Sequence, residues 1–439
     1  METKVNDLNT SVKELEVTLS YNEIKNDIDS EVKKQTKNIQ LPGFRKGKVP
    51  LSIIKKMYGD ALEHEASEKV ANNRFWEIAK EKQIMPIGQP TLTDLHFHPN
   101  EELHFKVQFE TYPVLEVKDY TGQEIEIPDF VVKDEEIEQE IKYIQQANAA
   151  QEDAEVVGEE ENFVIDIDLL RINDNGEPFE GAQKQNIKVD LSDPKINPEL
   201  VKNAKGKKVG DTFSFTFKNE VPAQKEGTEE KKSEEILNFS AAVTSIKKNI
   251  LPELTEELIK KVTKDKVANE AELRENIRKD LQDYYDRQND SILRNKLINL
   301  IVKKNDFVPP KTLINNLLQD LIKNEEERAK KEGNKLFNRE EARNRLMPFA
   351  EMEVKWFLLK NEIQKKENME IAEETLKDLA KKEAVTTGLS EEKLINYYKS
   401  PNYQNTLLEQ KLFEFLKEKN TVIKVDPEKY SQKEEKDSK

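Results

Sequence analysis

The chain has no cysteine, which excludes a disulfide scaffold, a thiolate metal site and a cysteine nucleophile. Its 13 glycines and 17 prolines in 439 residues are too few for a linker protein or a collagen-like fibre. No uninterrupted apolar run approaches the ~20 residues that a membrane helix needs. The opening METKVNDLNTSVKELEV lacks the apolar core of a secretory signal. These absences predict a soluble, cytoplasmic protein with no membrane association. No dinucleotide fingerprint and no arguable Ser-His-Asp set occurs either.

Hydrophobic and charged residues each make up 36%, so core material is scarcer than in an average globular chain. At ~100–200 residues per domain the length suggests about three domains. Several small domains joined by long charged helices suit this balance better than one compact enzyme. The net charge is −16, yet Val32 to Gly59 contains no acid and eight bases: Lys33, Lys34, Lys37, Arg45, Lys46, Lys48, Lys55 and Lys56. The rest of the chain therefore carries −24. A basic stretch confined on an otherwise acidic chain can bind phosphate backbones in one orientation only. Its plainer reading is a solvated face.

Residues 12–20 alternate as a half-buried strand, and Ser20-Tyr21-Asn22-Glu23 is a capping box ahead of a helical stripe at Ile24, Ile28 and Val32. Leu41 to Pro50, LPGFRKGKVP, reads as an exposed loop. Helical pattern returns over 51–58 and 62–83, and strands at 91–97 and 102–109 complete an α+β domain. Residues 111–150 look like an extended, then helical, connector. FVIDIDLLRI, NIKVDL, GDTFSFTF and ILNFSAAVTSI are short strands of a small antiparallel sheet. The charged Pro222–Glu235 loop interrupts the last two and is poor in apolar residues. From Leu251 the period is helical, with a long amphipathic stretch from Leu273 to Leu300 and shorter ones to 419. The residues from Lys429 onward read as a disordered tail.

Gly43–Lys48 is not a P-loop: three residues rather than four separate the glycines, and Val49 follows Lys48. His96, His98 and His104 could meet across a hairpin and hold zinc, but no fourth ligand is evident, and incidental surface histidines explain them better. Asp166 and Asp168 lie two apart on a strand, where paired carboxylates are more often the wet face than an acid/base pair. The helical third either closes into a bundle or leaves apolar stripes open to another chain. Periodicity does not separate these two.

LPGFRKGKVP, with Phe44-Arg45-Lys46 at its centre, resembles the ribosome-docking signature of the trigger factor family of bacterial nascent-chain chaperones. The resemblance spans residues 12–427 in element order, and ILPELTEEL at Ile250–Leu258 resembles the family's junction between middle and C-terminal domains. It implies a multidomain α+β protein: a ribosome-docking domain at 1–111, a connector at 112–160, an FKBP-like antiparallel β domain at 161–248 and an extended all-α C-terminal domain at 249–428, followed by the tail at 429–439. It also implies docking through Gly43, Phe44, Arg45, Lys46, Gly47 and Lys48 beside the large subunit's exit tunnel, on a ribosomal protein and rRNA. Arg45 suits bidentate pairing with phosphate or carboxylate, and Phe44 an apolar anchor. Nascent and unfolded polypeptides would be the clients, no cofactor, nucleotide or metal is implied, and the free protein would form a homodimer.

The resemblance further implies a peptidyl-prolyl isomerase pocket in the middle domain. Phe179 and Glu180 map onto it, with Phe239 on the last strand and Ile196 on its floor. The floor aromatic is replaced by Leu200, and Pro222–Glu235, expected to supply a tyrosine, has no aromatic. Lowering a ~18–20 kcal/mol barrier requires a dry aromatic-walled pocket, so weak or no activity is expected. Three functions compete: an ATP-independent chaperone at the ribosome, a prolyl isomerase, and an RNA-binding scaffold.

Overall fold

The computed structural model describes all residues except 37–48, 50, 161, 194, 222–232, 334–335 and 438–439. It has two compact units, Met1–Asp129 with Asn289–Lys439, and Phe130–Gln288.

In the first unit, β1 (Glu2–Asp7), β2 (Val12–Ser20), β3 (Ile87–His98) and β4 (Glu102–Glu110) form an antiparallel sheet in the order β1-β2-β4-β3. Between β2 and β3 run α1 (Tyr21–Thr36) and α2 (Leu51–Glu81). The expected stripes meet in one core: Leu15, Val17 and Leu19 of β2, Leu103, Phe105, Val107 and Phe109 of β4, and Ile24, Ile28 and Val32 of α1 are all buried. Glu23 reaches back to the Ser20 N–H at 2.9 Å, as a capping glutamate should. Two departures have local causes. The two expected helical segments are one helix, because Gly59 costs an exposed turn only ~1 kcal/mol while Ile54, Leu62, Ala66 and Val70 continue one buried stripe across it. The sequence of β1 is too polar to signal a strand, and it exists through its pairing with β2.

The expected connector is more than a tether. Its β5 (Glu124–Pro128) pairs in parallel with a strand almost 300 residues later, β11 (Thr421–Val425). Buried Asn420 donates to the Tyr120 carbonyl and accepts the Gln123 N–H. Next, α3 (Asp134–Ala147) enters the second unit and buries Ile137 and Ile141. The middle sheet consists of β6 (Ala150–Asp153), β7 (Phe163–Ile172), β8 (Gln185–Asp190), β9 (Thr212–Val221) and β10 (Ser233–Ile250), with α4 (Pro198–Ala204) before β9. Strand β10 is paired with β6, β7 and β9. Of the expected Pro222–Glu235 loop, residues 222–232 lie outside the described residues, and Ser233–Glu235 pair with β9.

The helical part comprises α5 (Glu256–Thr263), α6 (Glu270–Lys304), α7 (Lys311–Lys331), α8 (Arg339–Lys366), α9 (Glu373–Thr387), α10 (Glu391–Tyr398) and α11 (Pro401–Lys419). Ile259 of α5 with Leu273 and Ile277 of α6 pack against α3 in the second unit, whereas Leu293, Leu297 and Ile301 of α6 belong to the first. The expected disordered tail is also corrected. Residues Pro427–Asp437 form α12, held by Lys296, which lies 4.4 Å over the Tyr430 ring and 2.9 Å from Glu434.

Candidate functional site

Three regions bear on function. The first is the basic segment. Gly43, Phe44, Arg45, Lys46, Gly47 and Lys48 all lie outside the described residues. What brackets them is well defined: Val32 near the end of α1, Val49 just before α2 and Ile54 within it are buried in one core. The segment therefore departs from and returns to a packed helix pair. Lys33 and Lys34 stand exposed in the last turn of α1, where cations complement the helix dipole.

The second region is an open cavity of about 340 Å³ in the middle domain, lined by Leu169, Arg171, Phe179, Glu180, Phe239 and Gln185 among others. The turn after β7 builds it. Asn173 Oδ1 accepts the N–H groups of Asn175 and Glu177 at 3.0 and 2.9 Å, and the returning Phe179 N–H donates to the Arg171 carbonyl at 2.9 Å. Phe179, Glu180 and Phe239 thus line one cavity. Ile196 and Leu200 are not among its lining residues. Asn197 caps α4 by accepting the Glu199 N–H and ties it to β9 by donating to the Thr216 carbonyl, both at 2.8 Å. That orientation buries Leu200 with Ala204 in the domain core and packs Ile196 against it.

Arg171 was not anticipated. Its guanidinium carbon lies 4.4 Å from the centroid of the Phe179 ring. The signal was present in FVIDIDLLRI: Phe163, Ile165, Ile167 and Leu169 take alternate positions that supply the core, and Arg171 takes the next. Asp166 and Asp168 occupy the opposite face, Asp168 accepting from Asn186 at 2.9 Å. Phe239 stacks on Phe215 at 5.7 Å and 22°.

The third region is the set of helical hairpins, which bury their stripes in separate cores rather than one bundle. Leu318 and Ile322 of α7 pack with Ala342 and Ala350 of α8, while Leu376 and Ala380 of α9 pack with Leu394 and Tyr398 of α10. Burial, and then the Glu383 carboxylate, push the Tyr398 hydroxyl far above the usual tyrosine range. Large apolar side chains on α8–α10 and the loop after α9 stay exposed: Phe349, Phe357, Val385, Leu389 and Tyr397. Trp356 shows how sharp the division is, being buried against Phe413 while its neighbour Phe357 is 43% exposed. His96 and His104 stack at 6.2 Å, His104 Nε2 lies 3.1 Å from Glu16, and the described residues hold no cluster of three or more metal-ligating His, Asp or Glu side chains. No described helix is long and apolar enough to cross a membrane.

Separate small cores with large apolar side chains left exposed define a multidomain protein with apolar faces open to a partner. A family model described as bacterial trigger factor protein (TF) matches residues 1–144, and one described as bacterial trigger factor protein (TF) C-terminus matches residues 271–418. The trigger factor of Chloroherpeton thalassium is 28% identical over 431 residues, covering 97% of this chain and 98% of its own. That of Chlorobaculum tepidum is 26% identical over 430 residues with the same coverage. A solved structure described as "Promiscuous Substrate Recognition in Folding and Assembly Activities of the Trigger Factor Chaperone" matches with a TM-score of 0.52 at 19% identity, covering 95% of this chain and 99% of that one. The likeness to that structure supports the fold. The chain belongs to the trigger factor family, and its function is that of a ribosome-associated chaperone.

Proposed function

We propose that this chain docks at the exit tunnel of the large ribosomal subunit through Gly43–Lys48 and holds nascent and unfolded polypeptides there without ATP. The observation that carries the docking site is the acid-free segment Val32–Gly59, with Phe44-Arg45-Lys46 at its middle, set on the buried α1–α2 pair of an otherwise acidic chain. Arg45, Lys46 and Lys48 pair with rRNA phosphate or protein carboxylate, and Phe44 anchors the contact. Clients rest against Phe349, Phe357, Val385, Leu389 and Tyr397. Scattered apolar contacts release a client as readily as they hold it, and binding the unfolded state slows aggregation. The site of action is the cytoplasm, and off the ribosome the protein pairs as a homodimer. The middle domain acts as a client-binding arm whose isomerase pocket has degenerated.

Ribosome co-sedimentation at low and moderate salt tests the docking site. The Phe44/Arg45/Lys46→Ala triple variant should lose binding that the wild type retains, and the wild type should weaken as salt rises. Equal binding by both would move the docking site elsewhere. A second reading, a prolyl isomerase with a rearranged pocket, draws on the shared cavity of Phe179, Glu180 and Phe239. Catalysed turnover of a short Xaa-Pro peptide by the wild type would favour it.

A further inference from the structure

We infer that Arg171 is the residue that closes the middle domain's cavity to proline, an inference that rests on reading this domain as a degenerate isomerase. A prolyl ring held for isomerisation packs flat on an aromatic face, with carbon–carbon contacts of ~3.5–4.0 Å. The guanidinium carbon of Arg171, 4.4 Å from the Phe179 centroid, occupies that layer. The contact with Phe179 is a cation–π one.

The backbone fixes this placement. Arg171 pairs with Phe239 across the β7–β10 ladder, so the two side chains leave the sheet on the same face. Phe239 in turn pairs with Phe215 across β9. The hydrogen bond from the Phe179 N–H to the Arg171 carbonyl brings the Phe179 ring back over the same strand. Phe179, Arg171 and Phe239 all line the one cavity. Arg171 thus introduces a charge into the wall of a cavity that would have to be dry to favour the twisted amide. Leu169, two residues earlier on the same face, supplies the apolar remainder of that wall. With Arg171 removed, the face of Phe179 opens into the cavity it shares with Leu169 and Phe239. Arg171 is therefore a specificity-determining residue, and its effect on a proline substrate is exclusion.

The test uses the full chain and a short Xaa-Pro-Phe peptide, with cis–trans exchange followed by NMR exchange spectroscopy so that no protease is needed. The wild type should leave the exchange within twofold of its uncatalysed rate. Arg171→Ala should raise it at least tenfold, as should Arg171→Val, whose branched side chain suits a strand and guards against a folding defect in the first variant. Adding Phe179→Ala to Arg171→Ala should return the rate to the wild-type level. A readout beyond turnover is the Phe179 ring resonance, which should shift on peptide addition in Arg171→Ala and stay fixed in the wild type. If both single variants fold, as their unchanged methyl spectra would show, and neither gains exchange, the inference is wrong while the degenerate reading stands. If the wild type already turns the peptide over rapidly, the degenerate reading itself fails and the inference falls with it.

Discussion

Glu110, the last residue of β4, makes a contact whose worth can be worked out from donor counting. Helix α7 begins after Pro309 and Pro310, neither of which has an N–H, and Pro310 as N-cap has no side-chain acceptor to offer. The first donors the helix presents are the N–H groups of Lys311 and Thr312. Both are taken by Glu110, Oε1 at 2.9 Å and Oε2 at 2.8 Å. The surrounding seat is tight. Ser11 Oγ donates to the Val308 carbonyl at 2.6 Å, the Val308 N–H donates to Thr10 Oγ1 at 3.1 Å, and a Cβ on Gly88 would lie 2.7 Å from Thr312 Oγ1. An N-cap contributes ~1 kcal/mol, and a carboxylate at a helix N-terminus adds ~0.3–1 kcal/mol. Glu110→Ala removes both terms, a loss of about 2 kcal/mol. Glu110→Gln keeps one acceptor but no charge, a loss of about 1 kcal/mol. Hydrogen exchange read by mass spectrometry on peptides spanning 308–316 should therefore quicken about 30-fold in Glu110→Ala and about fivefold in Glu110→Gln. Unchanged exchange in Glu110→Ala would refute the capping argument. Exchange in Glu110→Gln equal to wild type would refute its electrostatic part.

Two further perturbations follow from the backbone and from a buried phenol. Lys264 ends α5 in the left-handed region at φ 56°, ψ 49°, a conformation that favours glycine. Lys264→Gly should stabilise this turn by about 0.5–1 kcal/mol and Lys264→Val should destabilise it, both read as changed exchange over 256–267; a glycine variant that exchanges faster would contradict this. Burial, and then the 2.6 Å hydrogen bond to Glu367, raise the Tyr120 hydroxyl to about 12. A phenol raised on folding stabilises fully below its unfolded value near 10 and loses that contribution as pH climbs through its folded value. The stability advantage of wild type over Tyr120→Phe in urea titrations should thus be constant below pH 10 and shrink between about 10 and 12. An advantage unchanged across that window would remove Tyr120 from the alkaline response.

What could be read from the sequence divides by the range of the cause. Strand β2, the capping box at Ser20–Glu23 and the stripe Ile24, Ile28, Val32 are local patterns; the strand and the stripe reappear as buried side chains in one core, and the box as the Glu23–Ser20 hydrogen bond. Distant pairings left no local trace. Nothing within TVIKV of β11 announces a parallel partner in EIEIP of β5, and the tail becomes helical because Lys296, more than 130 residues upstream, meets Tyr430. The division of α6 between two units was equally hidden, since one uninterrupted helical period serves Leu273 and Ile277 on one side and Leu293 and Leu297 on the other.

The middle-domain cavity failed differently, because its decisive residue was in plain view. Comparing pocket positions one by one weighs the aromatic residues that are missing, and on that basis Leu200 and the aromatic-free 222–235 segment carry the case for lost activity. Leu200 lies in the core rather than at the cavity, so restoring an aromatic there would meet neighbours and not substrate. Arg171, by contrast, lies 4.4 Å from the centroid of the Phe179 ring inside the cavity. Period-2 alternation through Phe163, Ile165, Ile167 and Leu169 already assigned its position to the inward face. A charged side chain at an inward position needs a partner, and here Phe179 is one. If Arg171 excludes proline as inferred, the same strand that builds the domain's core also supplies the group that guards its cavity, and loss of isomerase activity would cost the fold nothing.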